Sequence, residues 1–152
     1  MITIPQLENY STMLKDAVPA IKRVELAVNK EDLAVLMKEH DSDDNILLLA
    51  VLPEHGMEGN QDNAQFMNIC GWFVLEKTDY GDSREEYLAI FDRTQAAAKA
   101  IIEKMIIDKA ENSGLFCGFL SGLHESSLSA SPIKMLSGCN GYYIQVNITT
   151  RP

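Results

Sequence analysis

The sequence predicts an α+β fold with a mostly antiparallel or mixed sheet, one long helix and a C-terminal β-hairpin. Three observations lead to this prediction. Two helix-capping patterns occur at residues 3–6 and 83–86, short apolar runs of strand length lie between and after them, and an Asn-Gly pair at 140–141 is flanked by alternating apolar residues. Strands that follow each other without a crossover helix are expected to be antiparallel or far apart in the sheet.

The length and composition of the chain predict one globular domain, residues 1–152. The chain is 46% hydrophobic and 23% charged, with a formal net charge of -9. A chain of this length can bury a core without a disulfide or a metal. An acidic surface repels phosphate backbones, so no nucleic-acid partner is expected. Cys70, Cys117 and Cys139 have no close spacing and lie among apolar or small residues, which predicts buried free thiols.

The sequence also predicts the cellular location of the protein. The N-terminal stretch MITIPQLENYS lacks both the basic region and the apolar core of a signal peptide. The longest apolar run, residues 46–52, is far shorter than the roughly 18 residues of a membrane span. We therefore expect a cytoplasmic protein, or one that is assembled into a virion or injection-system particle, and no membrane partner.

The first predicted element is a helix that begins at a capping box formed by Thr3 and Gln6, with Pro5 in its first turn. Pro19 should end this helix near residue 17, because the residue before a proline avoids the helical region. Its apolar positions have helical spacing and are Leu7, Tyr10, Leu14 and Val18.

The next elements alternate between strand and helix. Residues 24–28 alternate between apolar and polar and predict a short strand. Asn29 can cap a second helix, which ends near His40. Residues 46–52 form a continuous apolar run, which predicts a strand covered on both faces, and residues 53–63 are rich in Gly and Asn and predict a loop.

A strand and the longest helix follow. Residues 65–77 predict a strand in which Gly71 marks a bulge or a close backbone approach. Ser83 and Glu86 form the second capping box, which opens a helix of about 84–112 on which the N-terminal helix should pack. Its predicted apolar stripe consists of Leu88, Phe91, Ala98, Ile102 and Met105, broadened by Tyr87, Ile90, Ala97, Ile101 and Ile106.

The C-terminal part predicts a short buried strand at 115–120, a loop at 121–131 and a hairpin at 133–149. The hairpin turn is placed at Asn140-Gly141, because both residues of such a turn must take positive φ. The predicted cross-strand pairs are Cys139–Tyr142, Ser137–Ile144, Met135–Val146 and Ile133–Ile148.

No pattern in the sequence predicts a catalytic residue, a cofactor or a metal site. The zinc-protease pattern that begins at His124 has Leu128 where a second histidine is needed. Ser121 lacks the flanking glycines of a nucleophile elbow. The three histidines, His40, His55 and His124, are scattered through predicted loops and are expected to be surface residues.

The last predicted strand raises the question of a partner. Its side opposite the apolar face is uncharged and carries Tyr143, Gln145, Asn147 and Thr149. Monomers usually protect an edge strand with lysine, proline or a bulge. The absence of charge therefore indicates either a central position in the sheet or pairing with a neighbouring subunit.

The order of the elements and the ending SPIKMLSGCNGYYIQVNITT resemble the small phage tail-terminator and tail-completion proteins, including their counterparts in contractile injection systems. The resemblance implies a homo-oligomeric ring, commonly a hexamer, that caps a tail tube and joins it to its neighbour, without catalytic residues. The loop at 53–64 and the segment 121–132 would then make subunit or tube contacts. The residues proposed for these contacts are Glu54, His55, Met57, Glu58 and His124.

The leading hypothesis is thus a non-enzymatic assembly protein in a homo-oligomer, with protein partners that offer a basic or β-edge surface. One alternative is a module that binds a small molecule or peptide between the long helix and the sheet, near Trp72, Phe91 and Tyr87. Another is an acidic inhibitor or immunity-type protein that masks a basic partner.

Overall fold

The computed structural model describes residues 1–28, 32, 35, 36, 39–60, 62–78, 81, 83–111, 119–136 and 138–151. It confirms an α+β fold, in which two long helices pack on a five-stranded mixed sheet. The long elements in chain order are α1 (Ile4–Ala17), β1 (Arg23–Ala27), β2 (Leu47–Glu58), β3 (Gln65–Lys77), α2 (Arg84–Glu111), β4 (Ser129–Leu136) and β5 (Cys139–Thr150).

The strand order across the sheet is β1-β2-β3-β5-β4. β1 runs parallel to β2, and the other neighbouring pairs are antiparallel. The parallel pair needs a crossover, and Asp32, Val35 and Leu36 in the connection between β1 and β2 are helical. Leu33 and Met37 of the predicted second helix lie outside the described residues. β5 has a neighbour on each side, so it takes the central position that was one of the two alternatives.

Both long helices pack on one face of the sheet. α1 lies over β1 and β2, and α2 lies over β3 and β5. Trp72 of β3 is fully buried beneath them, and its indole Nε1–H donates to Ser11 Oγ of α1 at 2.9 Å. This hydrogen bond offsets the cost of burying the indole N–H. The Tyr10 hydroxyl donates to Asp108 Oδ2 of α2 at 3.2 Å, so the two helices pack on each other as predicted.

Both helices begin at the predicted capping boxes. In α1, Thr3 N donates to Gln6 Oε1 at 2.9 Å, and Gln6 N donates to Thr3 Oγ1 at 3.4 Å. In α2, Ser83 N donates to Glu86 Oε2 at 2.7 Å, and Glu86 N donates to Ser83 Oγ at 3.2 Å. These reciprocal bonds satisfy backbone donors that a first helical turn leaves unpaired. The predicted C-terminal stop at 112–114 lies outside the described residues.

The buried side of α2 differs from the predicted stripe. Leu88 is 51% exposed and Ile106 is 40% exposed, whereas Thr94 is fully buried. Thr94 can lie inside because its Oγ1 donates to the Ile90 carbonyl oxygen at 2.7 Å. The residues of α2 that are buried are Ile90, Thr94, Ala97, Ala98, Ile101 and Met105. No helix in the described part of the chain is long and apolar enough to cross a membrane.

The predicted hairpin turn at Asn140-Gly141 is wrong. The chain reverses between Leu136 and Cys139, which pair with each other, and Gly138 in this turn has φ 83. Asn140 and Gly141 lie inside β5. The pairs of β4 with β5 are Leu136–Cys139, Ile133–Gly141, Pro132–Tyr142, Ser131–Tyr143, Ala130–Ile144 and Ser129–Gln145.

Pairing with β3 explains why the turn lies elsewhere. β5 pairs with β3 along its whole length, from Cys139 opposite Lys77 to Thr150 opposite Phe66. A turn at residues 140 and 141 would remove the first positions of this ladder. Asn140 instead donates its Nδ2–H to Thr78 Oγ1 at 2.6 Å. The long ladder therefore outweighs the local preference of Asn-Gly for a hairpin turn.

The predicted loop at 53–63 is partly strand, because β2 continues to Glu58. Its register against β3 shifts between Val51 and Glu54. The extra residues at this shift, Leu52 and Pro53, form a bulge, which is one of the places where a sheet accepts proline. Proline and glycine in this segment therefore did not end the strand. Gly71 of β3, predicted to mark a bulge or close approach, pairs with Val51 next to the bulge.

The predicted strand at 115–120 and loop at 121–131 are also revised. Residues 112–118 lie outside the described residues, and Phe119 and Leu120 form a buried turn rather than a strand. Leu123 makes an isolated bridge to Ile148, and β4 begins at Ser129, earlier than predicted. The segment after residue 121 thus lies against the sheet.

Candidate interaction surface

On the side of the sheet opposite α1 and α2, β3 and β5 present a band of uncharged side chains, named here the open strip. Cys70, Trp72, Ile144 and Val146 face the helices, so strand alternation places the intervening residues on the opposite face. The strip consists of the cross-strand pairs Phe73–Tyr143, Gly71–Gln145, Ile69–Asn147 and Met67–Thr149. The structure thus brings the predicted interface residues of β5 together on one half-exposed surface.

Tyr143 packs closely on two neighbours in the open strip. Its ring lies over Gly71, where a Cβ would overlap the phenol oxygen and lie 2.7 Å from ring carbons. The ring centroid is 4.6 Å from that of Phe73. Gly71 therefore provides the close approach predicted for it, but to a side chain rather than to a backbone.

The surroundings of Tyr143 raise its pKa above the ordinary value. Burial is the main cause that raises the pKa of Tyr143, and the negative charge of Glu54 and the Cys70 thiol raise this pKa further. A neutral phenol can both donate and accept a hydrogen bond. The strip therefore combines apolar and hydrogen-bonding groups without a charge of its own.

The two ends of the open strip differ in their surroundings. Leu36 and Leu136 pack with Phe73 on a small cluster of buried side chains at one end. At the other end, Asn147 Oδ1 is a buried acceptor that has no hydrogen-bond partner in the described part of the structure. Such an unsatisfied buried acceptor costs about 1–3 kcal/mol.

The outer edge of β5 is closed by its own chain. Beyond the part paired with β4, Thr149 N donates to the Gly122 carbonyl at 2.9 Å, and His124 N donates to the Asn147 carbonyl at 2.9 Å. Asn147 N donates to Ser127 Oγ at 2.8 Å. His124 Nε2 also lies 3.3 Å from Thr149 Oγ1. The main chain at His124 thus helps to close this edge, and β5 does not offer it to a neighbour.

The other predicted contact residues lie on the second half of β2. Residues 54–58, named here the β2 extension, pair with residues 65–69 of β3 and are all exposed. β1 pairs with β2 at residues 47–51, before this extension begins. Glu54, His55, Met57 and Glu58 are therefore on a projecting strand rather than in a loop.

A buried asparagine anchors the β2 extension to the core. Asn68 Oδ1 is 2.8 Å from His55 Nδ1 and accepts from Ile2 N at 3.0 Å. Asn68 Nδ2 donates to the Ile148 carbonyl at 2.7 Å and to Thr150 Oγ1 at 3.2 Å. Sequence reasoning did not single out Asn68, although a lone amide within the apolar stretch of β3 was an available signal.

The three histidines have different partners and do not form a common site. His55 and His124 contact Asn68 and Thr149, whereas His40 lies 2.8 Å from Asn45 Oδ1 and is only 1% exposed. The prediction of a surface residue is therefore wrong for His40. Within the described residues, no group of three or more His, Cys, Asp or Glu side chains could hold a metal ion.

The cysteines that the structure describes are buried, as predicted. Burial raises the pKa of Cys70 to about 12. Burial also raises the pKa of Cys139 to about 11, although the charge of Lys77 opposes the shift. Both thiols are therefore protonated at neutral pH and are poor nucleophiles. Cys117 lies outside the described residues.

Aromatic side chains pack on each other where the pocket near Trp72, Phe91 and Tyr87 was proposed. Tyr87 and Phe91 meet edge-on with centroids 5.2 Å apart, and Phe91 meets Tyr142 at 6.3 Å. An open groove of about 560 Å³ lies beside them, between α2 and the strands β4 and β5. Its lining includes Ala96, Ile102 and Tyr142, but none of the three residues predicted for the pocket.

Sequence reasoning found the β5 half of the open strip and missed the β3 half, Met67, Ile69 and Phe73. The available signal was the alternation of these residues with Cys70 and Trp72 within one apolar run. The strip combines aromatic, aliphatic and amide side chains. Comparison with family models, with curated proteins and with solved structures gave no match to this chain.

Proposed function

We propose that this protein is a non-enzymatic assembly protein that acts through protein contacts in a homo-oligomeric ring. The observation that carries the proposal is the open strip, an uncharged and half-exposed band in a chain with a net charge of -9. Charged groups are depleted at the centres of protein interfaces, and aromatic and methionine side chains are enriched there. Phe73, Tyr143 and Met67 give the strip this composition.

The charge balance also supports self-association through this band. Two acidic chains repel each other, so a contact between copies is favoured where charges are fewest. The open strip meets this condition along β3 and β5. Its aromatic end is ordered by the Gly71–Tyr143–Phe73 contact, which lowers the entropy cost of binding there.

Light scattering coupled to size-exclusion chromatography tests self-association. We expect the wild-type chain to be oligomeric and Gln145→Lys to shift it toward monomer by at least tenfold in dissociation constant, because the new charge would be buried at the contact. Gln95→Lys makes the same change on the exposed side of α2 and should leave the oligomer intact. A wild-type monomer at high concentration, or equal behaviour of the two variants, would refute the proposal.

The finer proposal is that the ring caps or joins a phage-like tail tube. Its support is the order of elements, in which an N-terminal helix, a small sheet and a long helix precede two C-terminal strands. Electron microscopy of the purified oligomer would test it through the presence of a closed ring with a central opening. A closed dimer would exclude this finer proposal and leave assembly through the strip in place.

A further inference from the structure

The β2 extension pairs with β3 along one edge. Its other edge is on the side of β2 where β1 pairs with residues 47–51. β1 ends its pairing at Ala27 opposite Val51. Among the described residues, β3 is the one strand that pairs with residues 54–58. Each of these residues is exposed, and Met57 is 68% exposed. A strand edge in this state presents N–H and C=O groups that another extended chain can bind.

The two faces of the β2 extension carry different side chains. Glu54 pairs with Ile69, and Glu58 pairs with Gln65, so both glutamates lie on the side of the open strip. Gly56 lies between them on the same side, and a Cβ there would have no heavy atom within 4 Å. His55 and Met57 lie on the opposite side, where Asn68 holds His55.

The side chains on this face of the β2 extension determine which residue of an added strand fits opposite Gly56. The residue opposite Gly56 would meet no side chain directly and would have a glutamate on each diagonal. Diagonal neighbours across a sheet are about 7–8 Å apart, which long side chains can bridge. No ion pair occupies either glutamate within the described residues. An arginine or lysine at this position would contact both carboxylates.

We propose that the β2 extension binds an extended segment of a different protein, which adds as a strand and places one arginine or lysine opposite Gly56. Apolar residues next to that cation would pack beside Met57. A second copy of this chain fits less well. Pairing two β2 extensions about Gly56 would place Glu54 of one copy opposite Glu58 of the other, and like charges directly opposite are unfavourable. The site is the backbone edge of β2, whereas self-association is proposed at the face of β3 and β5. Glu54, which pairs with Ile69 of the open strip, lies where the two adjoin.

Fluorescence anisotropy with a designed peptide tests the proposal on the full chain. The probe is a labelled nine-residue peptide of alternating threonine and valine with a central arginine. We expect it to bind at least tenfold more tightly than the same peptide with a central glutamate, and this preference should weaken at high salt. Backbone N-methylation of the probe should abolish binding, because strand addition requires its N–H groups.

Charge reversal at the two glutamates of the β2 extension is the second part of the test. Glu54→Lys combined with Glu58→Lys should reverse the preference, so that the glutamate peptide binds more tightly. Glu85→Lys combined with Glu103→Lys makes the same net change at exposed positions of α2 and should keep the preference of the wild type. Circular dichroism of each variant confirms that the fold is retained.

Three results would overturn the proposal. These are equal affinity for the two peptides, undiminished binding of the N-methylated peptide, and no reversal in the Glu54 and Glu58 double variant. Light scattering on the same samples separates this proposal from the proposed function. Dissociation of the wild-type oligomer by an excess of the arginine peptide would mean that a second copy occupies this edge. Gln145→Lys should change the oligomer and leave peptide binding as in the wild type.

Discussion

Replacement of Gly141 by alanine should destabilise the protein strongly. A Cβ at position 141 would overlap the Val74 carbonyl oxygen, and it would lie 3.0 Å from the Val74 carbonyl carbon and 3.2 Å from Leu75 Cα. These are backbone atoms of β3, which cannot rotate away as a side chain can. Overpacking in a well-packed site costs about 1–3 kcal/mol, so we expect Gly141→Ala to cost about 3 kcal/mol or more.

Thermal unfolding followed by circular dichroism measures this cost. In a chain of this size, each 1 kcal/mol lowers Tm by roughly 2–4 °C, so Gly141→Ala should lower Tm by roughly 6–12 °C. Gly138→Ala is the matched control, because a Cβ there would have no heavy atom within 4 Å but φ is +83. The left-handed conformation alone costs about 1 kcal/mol. Gly56→Ala has open space and should change stability by less than about 1 kcal/mol.

The sizes of the two losses of Tm decide where the chain turns. If the turn lay at residues 140 and 141, Gly141→Ala would carry the modest cost of a turn glycine, and Gly138 would be an ordinary strand position. A loss of Tm of roughly 4 °C or less in Gly141→Ala, together with no loss in Gly138→Ala, would therefore refute the register described for β5.

Two further predictions concern buried polar and ionisable groups. Asn68→Ala should lower the free energy of unfolding in urea by about 3 kcal/mol, because Ile2 N and the Ile148 carbonyl lose buried partners. The control Asn60→Ala, in the exposed loop, should lower it by about 1 kcal/mol. Equal costs would contradict the role given to Asn68. The raised pKa values of Cys70, about 12, and Cys139, about 11, mean that the folded state keeps protons that the unfolded state releases above about pH 9. The free energy of unfolding should thus fall by roughly 1 kcal/mol per pH unit per thiol from about pH 9 toward pH 11. Cys70→Ala should reduce this slope in urea titrations. An unchanged slope would argue against the burial of Cys70.

Local signals in the sequence predicted the elements that local interactions determine. Ser83 and Glu86 mark the start of α2, because their capping bonds lie within a single turn. Residues 65–77 have the apolar composition of a strand, and β3 has these bounds. The apolar and uncharged faces of β5 also follow from its alternation alone.

The features that the sequence did not predict depend on residues far apart in the chain. Asn140-Gly141 has the composition of a hairpin turn, but the length of β3 determines that both residues pair within the sheet. Pro53 and Gly56 have the composition of a loop, but a bulge lets β2 continue past them. The open strip needs β3 and β5 in register, and no local pattern supplies that register.

The central position of β5 has a consequence for synthesis on the ribosome. β1, β2 and β3 emerge early, but the long free side of β3 gains its neighbour only after Cys139–Thr150 has left the exit tunnel. Until then, a nascent chain carries an apolar strand with unsatisfied backbone groups, which is a state prone to aggregation. Ribosome stalling in the segment that encodes α2 should therefore favour chaperone capture over productive folding.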